Sequence, residues 1–342
     1  MKNTLFLYIG PPKTASTFLQ RGFLQSIEEL ECQIRPKVQI GGQRVMFSDL
    51  FCLFPEVWRE IGKEYLRKWA EPAFQSGRDL VISSEGIYGG LATPRPWYPS
   101  RVGWLTGEVN VLRETNGLPS HASSATHLRA VADAAADIGF SQTKILATVR
   151  RQDTKIASGY AEMSSSIAHA SQANFETWVN MLTGDPIGQY ALGGEKLNYG
   201  AWWKQVSKKV GSENVLLLPM ELLGVEQNKF LGHWLDFLGL QDLHGTYLPF
   251  DESGATKRES SVSDNTWSLR PPARDVRALP FRVLRKMGLV SVTKRLFSFP
   301  KRDKVIRLTN EISDKILAYY EQSNRDLDSQ IDQINLQKFG YY

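Results

Sequence analysis

Along this chain, short apolar runs alternate with longer stretches of helical spacing. Runs of strand length lie at 4–9, 79–84, 144–149 and 215–219. They are nearly continuous rather than alternating, the pattern of strands covered on both faces. Between the first two runs, Leu19, Phe23, Ile27 and Leu30 recur at spacings of four, four and three, which predicts one face of a helix. Strands interleaved with helices imply an α/β fold: a parallel β-sheet with helices on both faces, helical insertions and a helical C-terminal extension. No internal repeat, low-complexity tract or Gly/Ser linker divides the sequence. A single domain over 1–342 is expected, with an α/β core over 1–252 and a basic loop and helical extension over 253–342.

Composition fits that picture. The 342 residues are 42% hydrophobic and 23% charged, enough to bury a large core. No apolar run reaches membrane-spanning length, and the N-terminal one is too short for a signal peptide. A cytoplasmic protein is expected, with peripheral contact at the inner membrane face as an extension. Cys32 and Cys52 form no disulfide framework and suit a reducing compartment, where packing is their default role. The five histidines show no metal-ligand spacing, so no metal is expected.

Charge changes the picture in one place. Between Arg270 and Arg307 stand twelve Lys and Arg residues against Asp275 and Asp303, whereas the whole chain carries only +5. The remainder is therefore net acidic. Leu279, Phe281, Val283, Leu284, Leu289 and further apolar residues interleave the basic ones. Three uses stay open: attraction of an anionic acceptor or nucleotide, contact with an anionic membrane surface, or a solvated helix pair packed on the core. Aromatics there are few and form no stacking platform, so nucleic acid is not an expected partner.

The first strand run ends in Gly10-Pro11-Pro12-Lys13-Thr14-Ala15-Ser16-Thr17, directly before the first helical pattern. Backbone N–H groups and the dipole at a helix N-terminus favour an anion. Lys13 adds a positive charge, and Ser16 and Thr17 add hydroxyl donors. The lysine stands three residues after Gly10, which is not the G-x-x-x-x-G-K-[ST] spacing of a Walker A loop. The segment Pro12–Thr17 instead resembles the 5′-phosphosulfate loop of sulfotransferases, P-K-[ST]-G-T-[TS]. The resemblance implies 3′-phosphoadenosine 5′-phosphosulfate (PAPS) as co-substrate, held by Pro12, Lys13, Thr14, Ala15, Ser16 and Thr17. Ala15 replaces the usual glycine. Alanine suits helical geometry, so the expected change is small.

A second element follows in the order that the resemblance requires. The strand at 144–149 ends in Arg150-Arg151-Gln152-Asp153, and Ser158 comes eight residues after Arg150. This is similar to the family's 3′-phosphate element; an arginine fork and a serine hydroxyl suit a phosphate. The form Arg-Arg-Gln-Asp is close to that of bacterial carbohydrate or glycolipid sulfotransferases. Asn198–Trp203, Asn214–Leu223, Phe230–Leu240 and the tail Phe339–Tyr342 resemble later family elements, with Gly239 as a helix C-cap. The resemblance further implies that Lys257 and Arg258 close over the 3′-phosphate, as basic residues of a C-terminal loop do in the family.

Glu85 follows the strand at 79–84, and open α/β sheets place ligands outside the carboxyl ends of strands. Family members carry a catalytic Glu or His there, so the resemblance implies Glu85 as the base and Lys13 as the residue that meets leaving-group charge. His121 and His127, on what reads as a surface helix, are reserve candidates. Sulfuryl transfer to a hydroxyl, less readily an amine, of a carbohydrate or glycolipid is the expected activity. A P-loop kinase-like phosphotransferase and a non-catalytic nucleotide- or glycan-binding protein are the alternatives. Against a kinase stand the shifted lysine and the Arg150 that ends the third expected strand, where a Mg²⁺-binding aspartate is needed.

Overall fold

The expected parallel sheet is present in the computed structural model. The structure describes residues 3–40, 43–51, 55–59, 61–85, 87, 121–167, 170–184, 197–246, 261–263, 265–271, 303–331 and 334–342. Strand β1 is Thr4–Tyr8 and β2 is Leu30–Ile34; β3 (Lys37–Ile40) and β4 (Gln43–Met46) pair as a separate hairpin. Then come β5 (Asp79–Ser83), β6 (Gln142–Val149) and β7 (Val215–Pro219). Five of these form one sheet in the order β2-β5-β1-β6-β7, every pairing parallel. The four strands expected from apolar runs are its inner members and one edge.

Parallel neighbours need crossover connections, and helices supply them. Helix α1 is Ile61–Ser76, α2 is His121–Ile138, α3 is Gln152–Met163 and α4 is Gln172–Gly184. Further on are α5 (Tyr199–Val210), α6 (Met220–Val225), α7 (Gln227–Leu238) and the C-terminal α8 (Asn310–Asp328). Leu5, Phe6, Leu7 and Tyr8 of β1 are all at most 1% exposed, so helices cover both faces of the sheet centre. On one face, Tyr8 meets Trp234 of α7 edge-on at 5.1 Å, and Phe6 meets Phe237 at 6.4 Å. Gly239 ends α7 at φ 77°, the left-handed C-cap that the sequence predicts.

Two expectations change. The helix over Leu19–Leu30 stops early: the backbone is helical from Ser16 to Ser26, with a wide π-type turn over Phe18–Phe23. Ile27 is extended at ψ 106°, and Leu30 opens β2. All four apolar residues are buried, but the last two serve a turn and a strand. The second change is α2, expected on the surface. Ala125, His127, Leu128, Val131 and Ala135 of this helix are buried.

Contacts divide the chain into two compact units. Met1–Arg151, Gln189–Thr256 and Ala318–Tyr342 form the first, which contains the five-stranded sheet; Gln152–Gly188 and Lys257–Leu317 form the second. Within the second, α3 and α4 accompany an antiparallel sheet of β8 (Ser261–Ser263), β9 (Thr266–Ser268) and β10 (Val305–Arg307). Arg270 ties into that unit by pairing with Glu162 at 3.2 Å, and its backbone N–H donates to Ser164 Oγ at 2.8 Å. Residues 272–302, the greater part of the basic segment, lie outside the described residues. Cys32 packs in β2, where burial, with Glu31 adding to it, pushes its thiol up to about 12. Such a thiol stays protonated and inert. Cys52 is outside the described residues.

Candidate functional site

The site begins with strand order. From β1 the chain steps out to β2, returns to β5 beside β1, then crosses to β6 on the other side. Order reverses at β1, so the carboxyl ends of β5, β1 and β6 flank a topological switch point. Three of the predicted segments emerge there: Gly10–Thr17 after β1, Glu85 after β5 and Arg150 after β6.

The loop after β1 is strained in a regular way. Lys13 has φ 73° and Ala15 has φ 57°, whereas Thr14 and Ser16 between and after them are not among the positive-φ residues. Alternating hand along a chain turns successive N–H groups toward a common point, the arrangement of an anion nest. Neither residue is a glycine, so the conformation is held against a cost of about 1–3 kcal/mol at each. Thr14 helps to hold it. Its buried hydroxyl donates to Pro11 O at 2.6 Å, so this side chain serves the loop itself. Leu19 N–H donates to Ala15 O at 3.1 Å and starts the helix. At the loop entry, a Cβ on Gly10 would lie 2.8 Å from the Tyr8 ring, which accounts for a glycine there.

Ala15 therefore corrects the sequence reading. It is left-handed, not helical, which is why a glycine suits this position. Ala15→Gly is expected to stabilise the protein by about 0.5–1 kcal/mol. That is the left-handed cost of about 1–2 kcal/mol less the ~0.4–1 kcal/mol lost to glycine's freer unfolded chain. The urea midpoint checks it; an unchanged or lowered midpoint would show that residue 15 is not left-handed in solution.

Around the loop, Ser16 Oγ donates to Glu85 Oε1. Glu85 also faces Arg35 Nη2 at 3.7 Å. Arg35 stands just beyond β2 at φ 50°, and its N–H donates to Ser83 O at 2.7 Å. Gln20 Nε2 donates to Ser83 Oγ at 2.9 Å and joins the loop helix to the end of β5. On the other side, Arg150 Nη1 donates to Lys13 O at 3.4 Å. Lys13, Ser16, Glu85 and Arg150 are thus brought together, with Lys13 half-buried and Pro12 and Thr17 exposed. The structure adds Arg35, which the sequence reading did not name. Its place depends on β2 lying beside β5, and no local motif marks it.

Ser158 is buried on α3, in the second unit. Lys257 and Arg258 lie outside the described residues. His127 is 3% exposed, accepts from Trp58 Nε1 at 3.4 Å on Nδ1, and packs 5.8 Å from the Phe51 ring. It belongs to an aromatic cluster rather than to the loop. His121 opens α2. Among the described residues no group of three or more His, Cys, Asp or Glu is placed to hold a metal ion. No described helix is long and apolar enough to cross a membrane.

No known family model matches the chain, and no curated protein matches it. Among solved structures, it is similar to a sulfotransferase from Alicyclobacillus acidocaldarius, at 15% identity over 73% of this chain and 87% of that one, with a TM-score of 0.39. It is also similar to the sulfotransferase domain of the Synechococcus PCC 7002 olefin synthase, at 16% identity over 97% of each chain, with a TM-score of 0.30. Likeness at this level assigns no activity.

Proposed function

We propose that this chain is a PAPS-dependent sulfotransferase that sulfates a hydroxyl, less readily an amine, of a carbohydrate or glycolipid. The observation that carries the reading is the convergence of a cationic anion nest, a carboxylate and an arginine at three adjacent strand ends. The donor supplies a sulfuryl group on its 5′-phosphate. Backbone N–H groups of residues 13–17, with Ser16 and Thr17, hold that phosphate. Glu85 takes the acceptor's proton as its oxygen attacks sulfur in line. As the bond from sulfur to the bridging oxygen breaks, Lys13 meets the charge left on the phosphate. Arg150 holds the 3′-phosphate, with Ser158, Lys257 and Arg258 as further contacts. The loop residues fit a phosphate ester: strained N–H groups and a lysine offer donors only.

The acceptor class rests on the resemblance of Arg150–Asp153 to bacterial carbohydrate and glycolipid enzymes. A glycolipid acceptor would give the basic 270–307 segment its use at an anionic membrane surface.

Calorimetry with 3′-phosphoadenosine 5′-phosphate tests the reading, with ADP and with ATP plus Mg²⁺ as controls. Preference for the 3′-phosphorylated nucleotide without metal is expected. Preference for ATP with Mg²⁺ would make the chain a kinase-like phosphotransferase instead. In the same assay Arg150→Ala is expected to weaken binding about 10- to 100-fold, the ~1.5–3 kcal/mol of a charged hydrogen bond. ADP, which lacks the 3′-phosphate, should lose little. Unchanged affinity would take Arg150 out of the site.

A further inference from the structure

The arginine turn after β6 is clamped by the C-terminal tail. Tyr341, the penultimate residue, is fully buried, and its hydroxyl donates to Glu221 Oε2 at 2.8 Å. The other oxygen of that carboxylate, Oε1, accepts the backbone N–H of Arg151 at 3.0 Å. A second phenol, Tyr199, donates to the carbonyl of Arg150 at 2.8 Å. The peptide that joins Arg150 to Arg151 is thus gripped at both its polar groups: its carbonyl by Tyr199, its N–H by Glu221.

The tail is itself fixed. Asn324 Nδ2 on α8 donates to Tyr341 O at 2.9 Å, and Tyr341 N–H donates to Leu336 O at 3.3 Å. Gly340 turns the chain at φ 71°, and a Cβ there would lie 3.2 Å from Arg151 Nη1. A glycine at 340 thus lets the tail backbone reach both the buried Tyr341 site and the Arg151 guanidinium. Burial, with Glu221 and Tyr199 adding to it, holds the Tyr341 phenol well above its ordinary range. It therefore remains a proton donor to Glu221 throughout the working pH range.

We infer that Tyr341 is a positioning residue for the nucleotide site: through Glu221 it fixes the Arg150–Arg151 peptide, and so aims the Arg150 guanidinium at the 3′-phosphate. This rests on the proposed role of Arg150. A two-point grip on one peptide fixes its plane, and the side chain that leaves it inherits the direction. One half-buried carboxylate bridging a tail hydroxyl and a backbone N–H accomplishes this, each of its oxygens taking one of the two donors.

Tyr341→Phe removes only the hydroxyl and keeps the ring in its site. It is expected to weaken 3′-phosphoadenosine 5′-phosphate about tenfold by calorimetry and to leave adenosine 5′-phosphate within twofold. The same change in an Arg150→Ala background is expected to cost less than twofold, because the residue it aims is gone. Tyr199→Phe, which loosens the same peptide from the carbonyl side, should show the same selective loss and guards against a folding failure of the first variant. If wild type does not bind the 3′-phosphorylated nucleotide, the functional reading fails. If wild type binds it and Tyr341→Phe lowers the melting temperature without changing affinity, or weakens both nucleotides equally, the inference fails alone.

Discussion

Lys13→Ala is expected to lower kcat by about 10²–10³-fold while leaving affinity for 3′-phosphoadenosine 5′-phosphate within about fivefold. The magnitude is that of one donor aimed at developing charge, about 2.7–4 kcal/mol. The split follows from timing. Before transfer, the charge of the donor's 5′-phosphate is shared with the sulfuryl group, and only when the bridging bond breaks does it collect on the leaving phosphate. A lysine in the loop gains most at that moment. The substitution is also structurally mild. Lys13 is half-buried, its backbone carbonyl still accepts from Arg150, and alanine carries the same left-handed cost at φ 73°. Initial rates of product nucleotide release from PAPS, set beside calorimetry on the same samples, check both halves. Turnover within threefold of wild type would remove Lys13 from the transition state. Lost affinity at normal turnover would make it a ground-state binding group.

Most of the sheet was legible because burial on both faces leaves a signature. Leu5–Ile9, Leu80–Ile82, Ile145–Val149 and Val215–Leu218 are runs that no amphipathic helix requires. Strand β2 was not legible. It is an edge strand whose residues after Leu30 are only partly buried, so Glu31, Cys32 and Gln33 break the apolar run. Leu30 also completes a helical spacing with Leu19, Phe23 and Ile27, and that short-range pattern outweighed a strand only five residues long. The consequence reached the site: without β2, Arg35 has no place beside Glu85. That Lys13, Glu85 and Arg150 come together was legible because each lies within four residues of the end of an apolar run, where an α/β sheet collects its ligands; the roles expected of them came from the family resemblance. The left-handed state of Ala15 was hidden because alanine favours a right-handed helix more than any other residue. The bridge from Tyr341 to Glu221 was hidden because it spans 120 residues and joins types that carry no motif.

Glu85→Gln is the second large effect, an expected fall in kcat of about 10²–10⁴-fold, the range for a lost general base. Glutamine keeps the shape and an acceptor oxygen for Ser16, so the contact with the loop survives. What disappears is basicity and the charge that faces Arg35 at 3.7 Å. Arg35 is about half exposed, at 51%, and a pair of that kind is worth no more than about 1 kcal/mol, so the fold should be little affected. Donor affinity is expected to hold or to rise, since a negative charge beside the anion nest is removed. Ser16 sharpens this point. Its hydroxyl carries one proton, which it donates to Glu85. On the proposed function, a phosphate in the loop would compete for that proton, and a Glu85 oxygen would then be open to the acceptor. Single-turnover rates with PAPS prebound measure the chemical step directly. A Glu85→Gln rate within threefold of wild type would require another base, and His127, sealed between Phe51 and Trp58, is not placed to be one.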